Sequence, residues 1–250
     1  MNVKQPIVEI CCGSFYDALQ AAEGGAKRIE LNSALMLGGL TPGTATLKLI
    51  KKNLPDLKVI TMVRPRGAVF CYSREEFQVM EAECRELLEA GADGIAFGCL
   101  TAEKNIDAEK NSRLLSIIKE YNKEAVFHRA FDVVVNPIET MEQLIALGID
   151  RVLTSGLQEK AVDGMAMIKS LQESYGTRIE ILAGSGVNAS NARKLMNETG
   201  IWQVHSSCKD WQTDLTTKGN GVSYSMVLGK QEMMYDVVSA KLVKQLVDSV

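Results

Sequence analysis

Short runs of β-branched and apolar residues alternate with stretches of helical period along this chain. The runs predict strands near 7–11, 27–32, 58–64, 94–98, 125–129, 151–155, 178–183 and 201–206. Helical spacing predicts helices at 14–24, 43–53, 74–90, 108–122, 138–147, 160–174 and 189–199, with a last one at 231–248. Eight strands, each followed by a helix, specify an α/β fold with a parallel sheet, and eight such units close a single (β/α)8 TIM-type barrel over 1–250. A doubly wound open sheet is the alternative. Four junctions support the barrel: Gly25-Ala26, Gly91-Ala92, Gly148-Ile149 and Gly200-Ile201 precede strands two, four, six and eight. A glycine just past a helix takes the left-handed conformation at little cost, and recurrence at every second strand suits a barrel whose interior layers come from alternate strands. The stretch 207–230 breaks the pattern. It is polar, lacks periodicity and follows the eighth strand, so it is expected as a long loop on the face where barrels carry their sites.

Strand side chains alternate, so parity separates those facing the helices from those facing the barrel axis. Val8 and Ile10 take the helix side, which turns Glu9 and Cys11 inward and leaves Cys12 to the outer side or the turn. The same argument points Arg28, Glu30, Asn32, Met62, Arg64, His128, Gln203 and His205 inward, with Arg66, Arg129 and Asp132 at strand ends or just beyond. Charges buried in this way need partners: one another, water or a ligand. A structural network, for example Glu30 with Arg28 or Arg64, is one answer and a binding site is the other.

Composition narrows the classes. The 250 residues carry a net charge of −3 and are 46% hydrophobic, and the sequence pI is near 5.6. That profile lacks the basic face that nucleic acid or an anionic membrane surface requires. No apolar run reaches the ~20 residues of a membrane span, and the first residues lack a signal-peptide core, so a cytoplasmic protein with reduced thiols is expected. None of the six cysteines forms a CxxC pair, which argues against structural zinc.

Candidate chemistry falls into two groups. An anion site is suggested by the turn Gly184-Ser185-Gly186 after strand seven and by Ser206 and Ser207 after strand eight, where backbone N–H groups commonly hold phosphate. Arg64, Arg66 and Arg129 would add bidentate contacts to a small anionic ligand at the barrel mouth. The acid–base candidates are Glu9, Glu30, His128, Asp132 and His205. No lysine stands at an inward strand end, which favours isomerase, lyase or hydrolase chemistry over a Schiff base. The second group is thiols: Cys11 and Cys12, with Cys71, Cys99 and Cys208, cluster toward the same face, and Cu(I) prefers sulfur ligands.

The stretches EICCGSF, GGAKRIELNSAL, GGLTPG, MVRPRGAVFCYS, GADGIAFGCLT, FHRAFD, RVLTSG and VHSS run from residue 8 to about 210 and together resemble the CutC copper-homeostasis family. The resemblance implies a cytosolic TIM-type barrel, a homo-oligomer (dimer or tetramer), with a part in copper handling. Some family members carry cysteine where this chain has Asn32 and Ser206. Three functions follow as expectations: a homeostasis protein taking up Cu(I) through Cys11 or Cys12, an enzyme acting on a small phosphorylated or carboxylated metabolite, or a scaffold whose mouth charges only stabilise it.

Overall fold

The strand–helix units form in sequence order. Strands β1 (Ile7–Cys12), β2 (Arg28–Leu31), β3 (Lys58–Met62), β4 (Gly94–Phe97), β5 (Glu124–Phe127), β6 (Arg151–Thr154), β7 (Glu180–Ala183) and β8 (Gln203–Ser206) each pair in parallel with the next, and β8 returns to β1 to close the barrel. The computed structural model describes residues 5–250. Around the barrel lie α1 (Phe15–Glu23), α2 (Thr44–Asn53), α3 (Arg74–Glu89), α4 (Ala108–Glu120), α5 (Pro137–Leu147), α6 (Met165–Tyr175), α7 (Ala192–Thr199) and α8 (Ala240–Asp248). Local chemistry sets their ends. Ser73 and Glu76 form a reciprocal capping box on α3, and Asn136 caps α5 ahead of Pro137. The junction glycines 25, 91, 148 and 200 have φ of +95°, +100°, +93° and +76°, the left-handed region that favours residues without a Cβ.

Helix-facing strand residues such as Ile10, Ile29, Val59, Ile95, Phe127, Val152, Ile181 and Val204 belong to the main apolar core between sheet and helices. The barrel interior is divided. On the β3–β5 side it holds a small separate apolar cluster of Ile60, Met62, Ala96 and Val126. On the β1–β2 and β6–β8 side charged and polar groups share it with Leu153 and Leu182. Register sets their height: Glu9 lies opposite Arg28, and Cys11 opposite Glu30 one pleat higher.

The lower level forms a belt of ion pairs and hydrogen bonds. Arg28 Nε meets Glu9 Oε2 at 2.5 Å, and its Nη2 donates to Gln203 Oε1 at 2.6 Å. Gln203 donates to Glu180, which also pairs with Arg151 at 2.9 Å. Arg151 reaches Glu124 at 3.0 Å, and Glu124 takes Lys58. The expected partnership of Glu30 with Arg28 or Arg64 does not form, because register puts Arg28 level with Glu9.

Three boundaries differ from expectation. Strand β3 ends at Met62, so Arg64 stands beyond the sheet, and α6 begins at Met165 after a run of turns. The largest difference follows β8. Residues 209–238 are not one loop running into a helix. Strands β9 (Lys209–Thr213) and β12 (Met234–Val238) pair antiparallel, with a small hairpin, β10 (Lys218–Gly219) and β11 (Val222–Ser223), between them. The helix expected from 231 begins only at Ala240. Lys209 opposes Val238 in this pairing and its amine meets Asp236 Oδ2 at 2.8 Å. The strap is fastened to α1 where Val238 N–H donates to Asp17 Oδ1 at 2.8 Å. Among the described residues no helix is long and apolar enough to cross a membrane.

Candidate functional site

The C-terminal ends of the strands open on a cavity of about 400 Å³. Two walls with different chemistry face it. The first is built by β1, β2 and β8, whose register brings Cys11, Glu30 and His205 together: one potential ligand atom from each lies within 4.8 Å of the others. His205 Nδ1 sits 2.8 Å from Glu9 Oε1, which fixes the ring and leaves Nε2 for the Cys11 side. Asn32 donates to Glu30 Oε2 at 2.9 Å and to Cys11 Sγ at 3.5 Å. Burial works against charge on Glu9, but Arg28 and His205 overcome it and hold the carboxyl at about 2. Burial also opposes charge on His205, yet its bonds to Cys11 and Glu9 raise it well above the ordinary imidazole value. Burial pushes the Cys11 thiol up against the pull of His205, and pushes Glu30 up likewise.

The second wall comes from β3, β5 and the loops that follow. Arg64 is 6% exposed, and its guanidinium donates to three backbone carbonyls, those of Leu37 (3.1 Å), Gly39 (2.8 Å) and Ala68 (2.7 Å). Gly38 and Gly39 take φ of +86° and +84°. That left-handed turn wraps the loop around the guanidinium, where a Cβ on Gly38 would crowd Nη1 at 3.3 Å. Among the described residues no carboxylate lies within ion-pair distance of Arg64. His128 accepts from Ala130 N–H at its Nδ1 (3.2 Å), so the neutral ring carries its proton on Nε2, and that atom has no partner. Burial first, and the Arg64 charge second, push His128 down to about 3, so it stays neutral. Phe70 covers both groups, 4.9 Å from the His128 ring and 5.3 Å from the Arg64 guanidinium.

A family model described as the CutC family matches residues 6–210. The chain belongs to the CutC family. A Treponema denticola protein named family protein CutC is 44% identical over 89% of this chain and 88% of its own length. The human copper homeostasis protein cutC homolog is 37% identical over 87% of this chain and 77% of its own. The crystal structure of CutC from Streptococcus agalactiae superposes with a TM-score of 0.77 at 32% identity, over 81% of this chain and 99% of that one. More distant barrels, such as 3-hexulose-6-phosphate synthase from Salmonella typhimurium (TM-score 0.61, 14% identity), share the fold.

Within this CutC barrel the residues singled out from sequence divide. Cys11, Glu30, Arg64, His128, Arg129, His205 and Ser207 all line the mouth cavity. Glu9 lies one level lower, 1% exposed, and reaches the mouth only through His205. Cys12 faces the helices, fully buried, its thiol directed to the Ile10 carbonyl. Arg66 points away and pairs with Glu76. Asp132 holds the β6 loop, accepting from Thr154 (2.5 Å), Ser155 and Arg129 (2.7 Å). Ser185, Gly186 and Ser206 also lie off the mouth, Ser185 donating to Glu159 O and Ser206 to Val187 O at 2.6 Å, whereas Gly184 lies against Leu153 and His205. Gly186 and Ser206 border a separate cavity beside α8, into which Ser207 also reaches.

Sequence reasoning did not single out Phe70, Leu153 or Lys209, which line the mouth, or Arg151, which joins Glu180 to Glu124 in the belt. Lys209 lies past the end of β8 on a strand that showed no alternation, so neither parity nor strand-end position marked it. Phe70 sits in a loop, where no periodicity speaks.

Proposed function

We propose that this CutC-family protein takes part in copper homeostasis by holding one Cu(I) ion between Cys11 Sγ and His205 Nε2 in a reducing compartment such as the cytoplasm. The observation that carries the reading is the convergence of Cys11, Glu30 and His205 within 4.8 Å, with Glu9 orienting the imidazole. A thiolate and an imidazole suit a soft, low-coordinate cation, and a carboxylate behind the histidine is the usual support for a metal-bound ring. Glu30 is a hard donor, so its part is charge balance. Binding would release protons from Cys11 and His205, so affinity should rise with pH.

Anaerobic titration with Cu(I) against a chromophoric competitor tests this. Cys11→Ser should weaken binding by about two orders of magnitude, and Cys12→Ser should leave it unchanged. Equal affinity in the parent and in Cys11→Ser would sink the site.

A second reading, an isomerase, lyase or hydrolase acting on a small anionic metabolite, is supported by Arg64, a buried cation with no carboxylate partner facing the same mouth. It fails if no small acid binds there.

A further inference from the structure

Unmet hydrogen-bonding capacity in the mouth is separated by sense. On the β3–β5 wall the groups are donors. Arg64 spends its guanidinium on neutral carbonyls that leave its charge unbalanced, and His128, 3% exposed, presents an Nε2–H with no acceptor. On the β1–β2 wall opposite, Glu30 is 3% exposed and its Oε1 is an acceptor with no donor. Between the walls the surface is apolar, with Met62 and Leu153. Buried polar groups are normally satisfied, and buried charges normally paired. Asn32 Oδ1, beside Glu30, is a second acceptor with no donor, and four such groups around one cavity of about 400 Å³ describe a ligand with an acid at one end and a hydroxyl at the other.

We propose that the mouth binds a small hydroxy acid, its carboxylate on the Arg64 guanidinium and His128 Nε2–H and its hydroxyl donating to Glu30 Oε1. A carboxylate fits better than a phosphate. One guanidinium and one neutral imidazole balance a single negative charge, and a dianion would bring surplus charge toward Glu30. Ser185 and Gly186 of the glycine turn suited to phosphate are held off the mouth. Phe70, packed on both donors, keeps their surroundings apolar and strengthens the charged contact. The proposal deepens the enzyme reading and shares only Glu30 with the copper reading, in which neither Arg64 nor His128 is a donor.

The test uses the full chain, metal-free and in the presence of a chelator, titrated calorimetrically with glycolate, lactate, acetate and inorganic phosphate. Glycolate and lactate should bind about tenfold more tightly than acetate, and phosphate should bind most weakly. His128→Leu should lose about tenfold toward all three carboxylates, and His128→Gln, which keeps an N–H donor, should recover part of that. Glu30→Ala should erase the preference for glycolate over acetate. Arg66→Ala, whose side chain pairs with Glu76 away from the mouth, should change nothing. Because Arg64 also clips three loop carbonyls, Arg64→Gln is judged only if its melting profile stays cooperative, and it should then bind no acid. Absence of carboxylate binding to the parent, or full-strength binding by His128→Leu, overturns the proposal. Hydroxy-acid binding with no turnover upholds the site and removes only the enzyme reading.

Discussion

The floor and the mouth of this barrel are built from the same residue types on the same inward parity, yet they differ in one respect. On the floor the charges answer one another: Glu9 with Arg28, Glu124 and Glu180 with Arg151, and Gln203 as the neutral link. Three floor atoms lack a hydrogen bond, Glu9 Oε2, Arg28 Nε and Arg151 Nη1, but the first two face each other as an ion pair at 2.5 Å. At the mouth Arg64 has no anion, His128 Nε2 no acceptor and Glu30 Oε1 no donor. A self-satisfied network specifies structure, whereas an unsatisfied set facing a cavity specifies a partner. Inward charge alone therefore does not mark a barrel site. What marks it is charge that the protein leaves unanswered.

The contrast can be broken first at the floor. Arg28→Met should cost about 3–5 kcal/mol in urea denaturation, because it strands the Glu9 carboxylate in the interior. Adding Glu9→Gln should return much of that loss. A single variant as stable as the parent would mean that the belt is not structural.

At the mouth the expected effect is a slope with pH. The ordinary value for histidine is 6.5 and the folded value of His128 about 3, so between these limits the unfolded chain takes up a proton that the folded chain refuses. Stability should accordingly fall as pH falls from 6.5 toward 3, by up to about 1.4 kcal/mol per pH unit from this residue. Subtracting the profile of His128→Gln isolates it, and superimposable profiles would place the imidazole in a more polar setting.

The smallest effect is expected outside both regions. Arg66 and Glu76 are 37% and 28% exposed, so Arg66→Ala should cost no more than about 1 kcal/mol in thermal melting and leave acid and copper binding as they were. Lost binding would draw Arg66 back into the site.

The sequence was most informative where a periodic element constrains the chain. Glycines 25, 91, 148 and 200 all adopt the left-handed conformation that their junctions predicted, and parity placed Glu9, Cys11, Glu30 and His205 on the inner side. Parity reports a side chain's face but not its height along the barrel. Glu9 and Glu30 looked equivalent until register put one with Arg28 and the other with Cys11. Beyond a strand end even the face is lost. Arg66 and Asp132 lie only two and three residues past chain positions that parity or periodicity constrains, yet they bond to Glu76 and to the β6 loop. The strap escaped notice because its strands are short, only partly buried and far apart in sequence, so no apolar alternation betrays their pairing.

That strap connects distant parts of the chain through one side chain. Asp17 is 4% exposed, and its two carboxylate oxygens serve different parts of the chain: Oδ2 accepts from Gly13 N–H at 2.9 Å, and Oδ1 accepts from Val238 N–H. Gly13 stands two residues after Cys11, at the point where β1 turns into α1. The far end of the strap and the backbone that aims the thiol thus share one carboxylate. A force that lifts the strap from the barrel reaches the turn beside Cys11 through Asp17, alongside the strap's bond from Gln212 to Tyr16 of α1.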